Sequence, residues 1–258
     1  MRDLATPIGI GLALVIVVAS NVLEGGNPMS LLLLPPMLLV FGVTLLVTVA
    51  GGTIEDAKNA VRSLKHAMTA KVAPAADVVP AVVSLAERAR REGLLALEES
   101  LADIDDPFLV KGVTLAIDGT DPEELREILE AEVDAKQRHD RHSAKFYGDA
   151  GAYAPTIGIV GTVMGLVHVL ESLSDPEQLG HLIAAAFVAT LWGVLSANVL
   201  WLPISNRLKR LSQLEVARME MVIEGVAAIQ AGANPRVIAQ KLGSLLITAQ
   251  TADDAKAA

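Results

Sequence analysis

Residues Tyr153–Leu166 read YAPTIGIVGTVMGL, an uncharged run in which Gly158, Gly161 and Gly165 are spaced by three and four. Thr162 lies seven residues after Pro155, on the same helical face. A second uncharged run places Ala189, Gly193 and Ala197 four apart, with Thr190 and Asn198 among them and Pro203 near its end. In lipid, apolar side chains gain little by leaving hydrocarbon for one another, so stripes of small residues act by letting two backbones approach closely. A proline inside a membrane helix frees a carbonyl that a hydroxyl, a water or an ion must satisfy. Two helices built this way suit either plain helix packing, at Gly158, Gly161, Gly165 and Gly193, or a hydrated path with a moving joint.

What these runs lack matters equally. Neither contains Asp, Glu, Lys or Arg; His168, two residues past Leu166, is the one histidine of the first apolar stretch, near its end at Leu170. A chain that binds and releases a cation in hydrocarbon needs a carboxylate or its equivalent. If ions pass here the acid belongs to a partner, and Thr162 and Thr190 line the path. Soluble-enzyme signatures are absent: there is no GxxxxGK[ST] loop, GxSxG elbow or HExxH helix. His139 and His142, three apart on a solvated helix, do not have the spacing of a metal site, so no metal or cofactor is expected beyond a permeating ion.

Four stretches are long enough to cross a bilayer as helices: about Leu4 to Leu23, Leu31 to Ala50, Tyr153 to Leu170 and Leu182 to Ile204. Pro35 and Pro36 place the second helix start inside its apolar run. Glu24-Gly25-Gly26-Asn27-Pro28 makes a tight hairpin between the first two. The first stretch follows Arg2 but is read as a span rather than a cleaved leader, because a second span follows at once.

The remaining composition fits this division. The 258 residues are 52% hydrophobic yet carry 30 acidic and 21 basic side chains, net −9, with a mean hydropathy of +0.46. Charge and apolar residues must therefore occupy different segments. With no cysteine, thiolate metal sites and a cysteine nucleophile are excluded. The acidic balance argues against nucleic-acid binding. Basic residues are absent from loops 24–30 and 171–181 and cluster at Arg207, Lys209 and Arg210 after the fourth span. By the positive-inside rule both termini and the long middle segment are cytoplasmic.

The expected architecture is an all-α polytopic membrane protein with four transmembrane helices and a helical cytoplasmic domain inserted between the second and third. Its parts are a hairpin over 1–50, a cytoplasmic helical domain over 51–150, a second hairpin over 151–204 and a helical tail over 205–258. Leu85, Ala89, Leu94, Leu97 and Leu101 follow one helical period from a start near Pro80. Asp121-Pro122 opens another helix, whose apolar positions are Leu125, Ile128, Leu129 and Val133. That helix is expected to run into the third span, and the fourth span to continue through Leu208, Leu211, Leu214 and Met221.

The third-span run, the fourth-span run AFVATLWGVLSANVLWLPI, the stretch ARREGLLALEE (Ala89–Glu99) and the tail IQAGANPRVIAQKL together resemble the flagellar motor stator subunits of the MotA and PomA type, in the MotA/TolQ/ExbB superfamily. The resemblance covers nearly the whole chain. It implies a ring, taken as a pentamer, around a dimer of MotB- or PomB-type single-span partners whose membrane aspartate binds the ion. It implies further that Arg90 and Glu98 face the rotor protein FliG, that Pro155 and Pro203 couple ion passage to movement, and that Thr162 and Thr190 lie near the partner's aspartate. A threonine at 162 leans the ion choice from H+ toward Na+. The location implied is the bacterial inner membrane and the activity non-enzymatic. Two other readings stand beside it: an ExbB/TolQ-type energiser, whose members typically have three spans, so that the opening hairpin counts against it, and a small-molecule permease with a midplane site and no partner.

Overall fold

The computed structural model describes residues 3–70 and 74–257, so Arg2 lies outside the described residues. Among those residues the chain is helical with no strand. Four helices meet the length and hydropathy of a membrane span: α1 (Ala5–Leu23), α2 (Pro28–Ala50), and the membrane portions of two much longer helices.

Local sequence sets the helix ends. The α1–α2 turn uses Gly25 at φ 79°, and the Asn27 side chain accepts the Met29 amide at 3.0 Å. A 3-10 turn, Pro28–Leu31, precedes the regular helix of α2, which starts at Leu34 with Pro35 and Pro36 in its first turn, as the apolar run predicts. Next, α3 (Ile54–Thr69) opens on a reciprocal cap. The Asp56 amide donates to Thr53 Oγ1 at 3.1 Å, and the Thr53 amide donates to the Asp56 carboxylate at 2.9 Å. The Thr53 hydroxyl, which donates to the Asp56 carboxylate at 2.7 Å, and then the Thr53 amide hold that carboxyl below its usual range.

The single period expected across Leu85–Leu101 is interrupted. α4 (Val78–Glu92) stops at Gly93, whose φ of 88° a side chain would resist, and Leu94–Asp103 continues as a 3-10 segment. After it come α5 (Pro107–Ile117), capped by Asp106, and α6 (Pro122–Glu171), 50 residues long. Asp121 caps α6 by accepting the Glu123 amide at 2.9 Å. α7 (Pro176–Gln230) is likewise continuous apart from a π turn at Ser196–Trp201. Gly232, at φ 66°, turns the chain into α8 (Pro235–Ala257).

Packing divides the chain into two compact units, Met1–Lys71 with Asp140–Arg210, and Val72–His139 with Leu211–Ala258. The boundaries differ from the sequence segments at 50/51, 150/151 and 204/205. Helix α3 packs with the spans rather than with the polar insert, and the tail packs with the insert.

In the first unit, Ala60, Ala144, Ala150, Ala154 and Ala197 surround Tyr147 and Trp201. The two rings stack with centroids 6.4 Å apart, and the Tyr147 hydroxyl donates to the Ala60 carbonyl at 2.7 Å. Burial pushes that phenol up to about 12. Ser205, 1% exposed, ties α7 to α6 by donating to the Ala144 carbonyl at 2.7 Å. No residue of α1 is buried, as expected for a helix bathed in lipid on most sides.

The second unit has a conventional aliphatic core in which Leu97, Leu109, Leu125, Leu129, Val226 and Leu242 are at most 1% exposed. Of the positions expected on α6, Leu125, Leu129 and Val133 are buried and Ile128 is half-buried. Glu224 accepts from Arg126 and from Lys241, joining α6, α7 and α8. The Arg126 guanidinium above all, and then Lys241, hold the Glu224 carboxyl below its ordinary 4.5 against the opposing effect of burial.

Two outcomes follow from these ties. Tyr147→Phe removes a buried hydrogen bond while the Ala60 carbonyl keeps the Ser63 hydroxyl at 2.8 Å, so thermal unfolding of the purified chain should show a loss of about 1 kcal/mol. Because the folded pKa of Glu224 lies below the unfolded value, its stabilisation is present above pH 4.5 and disappears as pH falls through the folded value. Melting temperatures of Glu224→Gln should therefore lie below wild type at pH 7, and the two curves should converge on acidification.

Candidate functional site

In the first unit, α6 and α7 cross antiparallel at their small residues. A Cβ on Gly158 would stand 2.9 Å from the Ala189 carbonyl oxygen, and one on Gly193 would stand 2.7 Å from that of Ala154. At Gly161 and Gly165 it would meet the methyls of Ala189 and Ala186 at 2.7 and 2.6 Å. Real Cβ atoms do not approach so closely, so any larger residue must push the helices apart.

That register brings Thr162 and Thr190 face to face, and their hydroxyls hydrogen-bond to each other. Thr162 Oγ1 also donates toward the Ala186 carbonyl at 3.0 Å and lies 3.2 Å from that of Gly158. Thr190 Oγ1 is 3.3 Å from the same Gly158 oxygen. Two hydroxyl and two carbonyl oxygens thus gather at half-buried positions within uncharged helices. Oxygen clusters of this kind suit a hard cation or a water file.

Pro155 sits inside α6 and removes one hydrogen bond to the Gly151 carbonyl. Nearby, Thr156 Oγ1 donates to the Tyr153 carbonyl at 2.8 Å. In α7, Pro203 follows the π turn Ser196–Trp201, whose wider geometry accommodates the clash between a proline ring and the carbonyl four residues back. Asn198 is exposed and donates to the Val194 carbonyl at 2.9 Å. His168 is exposed and lies 3.4 Å from Glu171. Next to the crossing, an apolar groove of about 810 Å³ runs between α2, α6 and α7, lined by Pro35, Leu39 and Met164, with His168 and His181 as its titratable members. No group of three or more potential metal ligands occurs among the described residues.

The second unit carries the charged stretch. Arg90 is on the last turn of α4 and Glu98 is on the 3-10 segment beyond Gly93, so the two do not share a helix. Both are exposed, and neither forms an ion pair among the described residues. The residue that organises the stretch is Arg88. It donates to Glu92 at 3.1 Å, to Glu99 at 2.5 Å and to Ser100 at 2.7 Å, pinning the 3-10 segment to α4. Its i,i+4 relation to Glu92 was visible in the sequence, whereas the bonds to Glu99 and Ser100 depend on the turn at Gly93. Also unmarked by any sequence pattern are the Trp192 indole donating to the Leu31 carbonyl at 2.6 Å and the Arg207–Asp3 ion pair at 2.7 Å.

The chain is similar to known proteins along nearly its whole length. The model of the MotA/TolQ/ExbB proton channel family matches residues 100–221. Motility protein A of Bacillus subtilis is 39% identical over 246 residues, spanning 93% of this chain and 89% of the relative. The flagellar MotAB stator complex of B. subtilis contains a chain that superposes with a TM-score of 0.87 at 38% identity, covering 93% of this chain and 95% of its own. The C. jejuni MotAB structure gives 0.89 at 30% identity, with coverage of 94% and 95%. Four membrane-crossing helices, a polar helical insert and similarity along nearly the whole length identify the chain as a membrane protein of the MotA/TolQ/ExbB proton channel family, on its MotA/PomA side.

Proposed function

We propose that the chain is the ion-driven, torque-generating subunit of a bacterial flagellar stator. The observation that carries this reading is the oxygen cluster at the α6/α7 crossing, set in spans that contain no carboxylate. Such a path can line a cation's route but cannot bind and release the ion by itself, which calls for a partner helix bearing an acid. The solved relatives are MotAB complexes, in keeping with a single-span MotB- or PomB-type partner for this chain. On this reading five copies ring a partner dimer in the inner membrane, both termini are cytoplasmic, and nothing is turned over chemically.

In this mechanism Thr162 and Thr190 supply oxygens that replace part of the ion's hydration, favouring Na+ over H+. Pro155 and Pro203 are the weakened points at which α6 and α7 flex as the ion passes. Arg90 and Glu98, exposed and unpaired among the described residues, meet complementary charges on FliG. Arg88 keeps them apart and in place. Four spans favour this role over an ExbB/TolQ-type energiser, and an apolar groove gives a polar permease substrate little to bind.

Complementation of a non-motile stator deletion by this chain with its cognate partner should restore swimming; assembly at normal levels without torque would rule the reading out. Thr162→Ala should change the dependence of swimming speed on sodium at fixed pH, and unchanged speed on sodium withdrawal from the wild type would remove the sodium assignment. Arg90→Glu should lower torque at constant assembly, with a partial return on charge reversal of the opposing rotor residue. Arg88→Ala should lower it as well by releasing the 3-10 segment, and no rotor charge reversal should restore it.

A further inference from the structure

Helix α3 has both of its ends at the membrane boundary. Its first residue, Ile54, comes four residues after Ala50, the last of α2. At its other end the Ala70 carbonyl accepts the Asp3 amide at 3.5 Å, two residues before α1 begins, and Asp3 is in turn paired with Arg207, three residues past the end of the fourth apolar run. Since α1 and α2 form a hairpin, these points lie on one side of the bilayer. A 16-residue helix about 24 Å long, held at both ends at that level, lies along the membrane surface rather than pointing away from it.

The exposure pattern around α3 is sorted in the same sense. Ala60 and Ala67 are fully buried against the α6 and α7 side chains, and Leu64 and Met68 are half-buried beside them. On the outer side Ile54 and Val61, seven residues apart, are each 71% exposed. Lys58, Arg62 and Lys65 form the adjoining stripe at intervals of four and three, all exposed. None of the three has a carboxylate partner among the described residues, and Arg62 reaches only the Asn59 side chain at 3.3 Å. Glu55 and His66 continue the surface further round. An apolar edge beside an unpaired cationic band, on a helix held in the interfacial plane, matches the acyl boundary and phosphate level of a bilayer.

We infer that α3 is an interfacial anchor whose Lys58, Arg62 and Lys65 bind the phosphate groups of anionic phospholipids, with Ile54 and Val61 entering the acyl region. This goes beyond the stator reading: it assigns a lipid site to residues that neither the ion path nor the rotor-facing stretch uses.

The test uses the full-length chain with its partner in nanodiscs of phosphatidylcholine containing graded phosphatidylglycerol, reading retained lipid by native mass spectrometry and melting temperature alongside. Wild type should retain phosphatidylglycerol in preference to phosphatidylcholine and melt higher as its fraction rises. Each of Lys58→Gln, Arg62→Gln and Lys65→Gln should weaken that preference about five-fold. The triple variant should abolish it with oligomer size unchanged, while Lys58→Arg with Lys65→Arg should retain it. Wild-type lipid preference in the triple variant would overturn the assignment. So would single variants that break the oligomer while each chain still retains phosphatidylglycerol, because the stripe would then be a contact between copies.

Discussion

Hydrocarbon gives a stray hydroxyl no partner and gives an apolar side chain no reason to prefer protein over lipid, and the α6/α7 crossing answers both constraints. Glycines at 158, 161, 165 and 193 remove the side chains that would hold the backbones apart, so dispersion between main chains does the work that hydrophobic burial does in water. The same closeness brings Thr162 and Thr190 within reach of each other and of the Gly158 and Ala186 carbonyls. Packing and polar satisfaction are one arrangement there. A substitution that widens the crossing also strands the hydroxyls.

The second unit works under the opposite rule. Water satisfies its surface, so its aliphatic core provides cohesion and its charged groups serve position. Arg88 and Glu224 are each held by several partners and fix where elements meet, whereas Arg90 and Glu98 have no ion-pair partner among the described residues. Charges that a fold leaves unpaired on a tethered, rigid segment are available to another protein at little cost in stability, since exposed ion pairs contribute at most about 1 kcal/mol.

Much of this was legible along the chain. Hydropathy alone located four spans, proline and aspartate positions located helix starts at Leu34 and Pro122, and the small-residue spacing picked out the faces that meet. Less legible was the stretch from Leu85 to Leu101, whose apolar spacing read as one helix until Gly93 at φ 88° divided it. A glycine after charged residues is compatible with a helix end or a helix interior, and only the packing of Leu97 into the core decides between them. Packing and polarity divide the chain differently for a related reason: α3 is polar like the insert, while its alanine face packs on the spans.

Sequence by itself determined that the chain crosses a membrane, that its membrane portion carries no ion-binding acid, and that small residues and hydroxyls share two faces, because these are consequences of residue type and short-range spacing. Tertiary structure alone decided that Thr162 meets Thr190 rather than a neighbour, that Arg88 and not Arg90 or Arg91 is the tether, and that α3 returns to the base of α1. Each depends on antiparallel register or on a turn that brings residues distant in sequence together. Side-chain pairing across such distances depends on the relative placement of two helices, which no local pattern encodes.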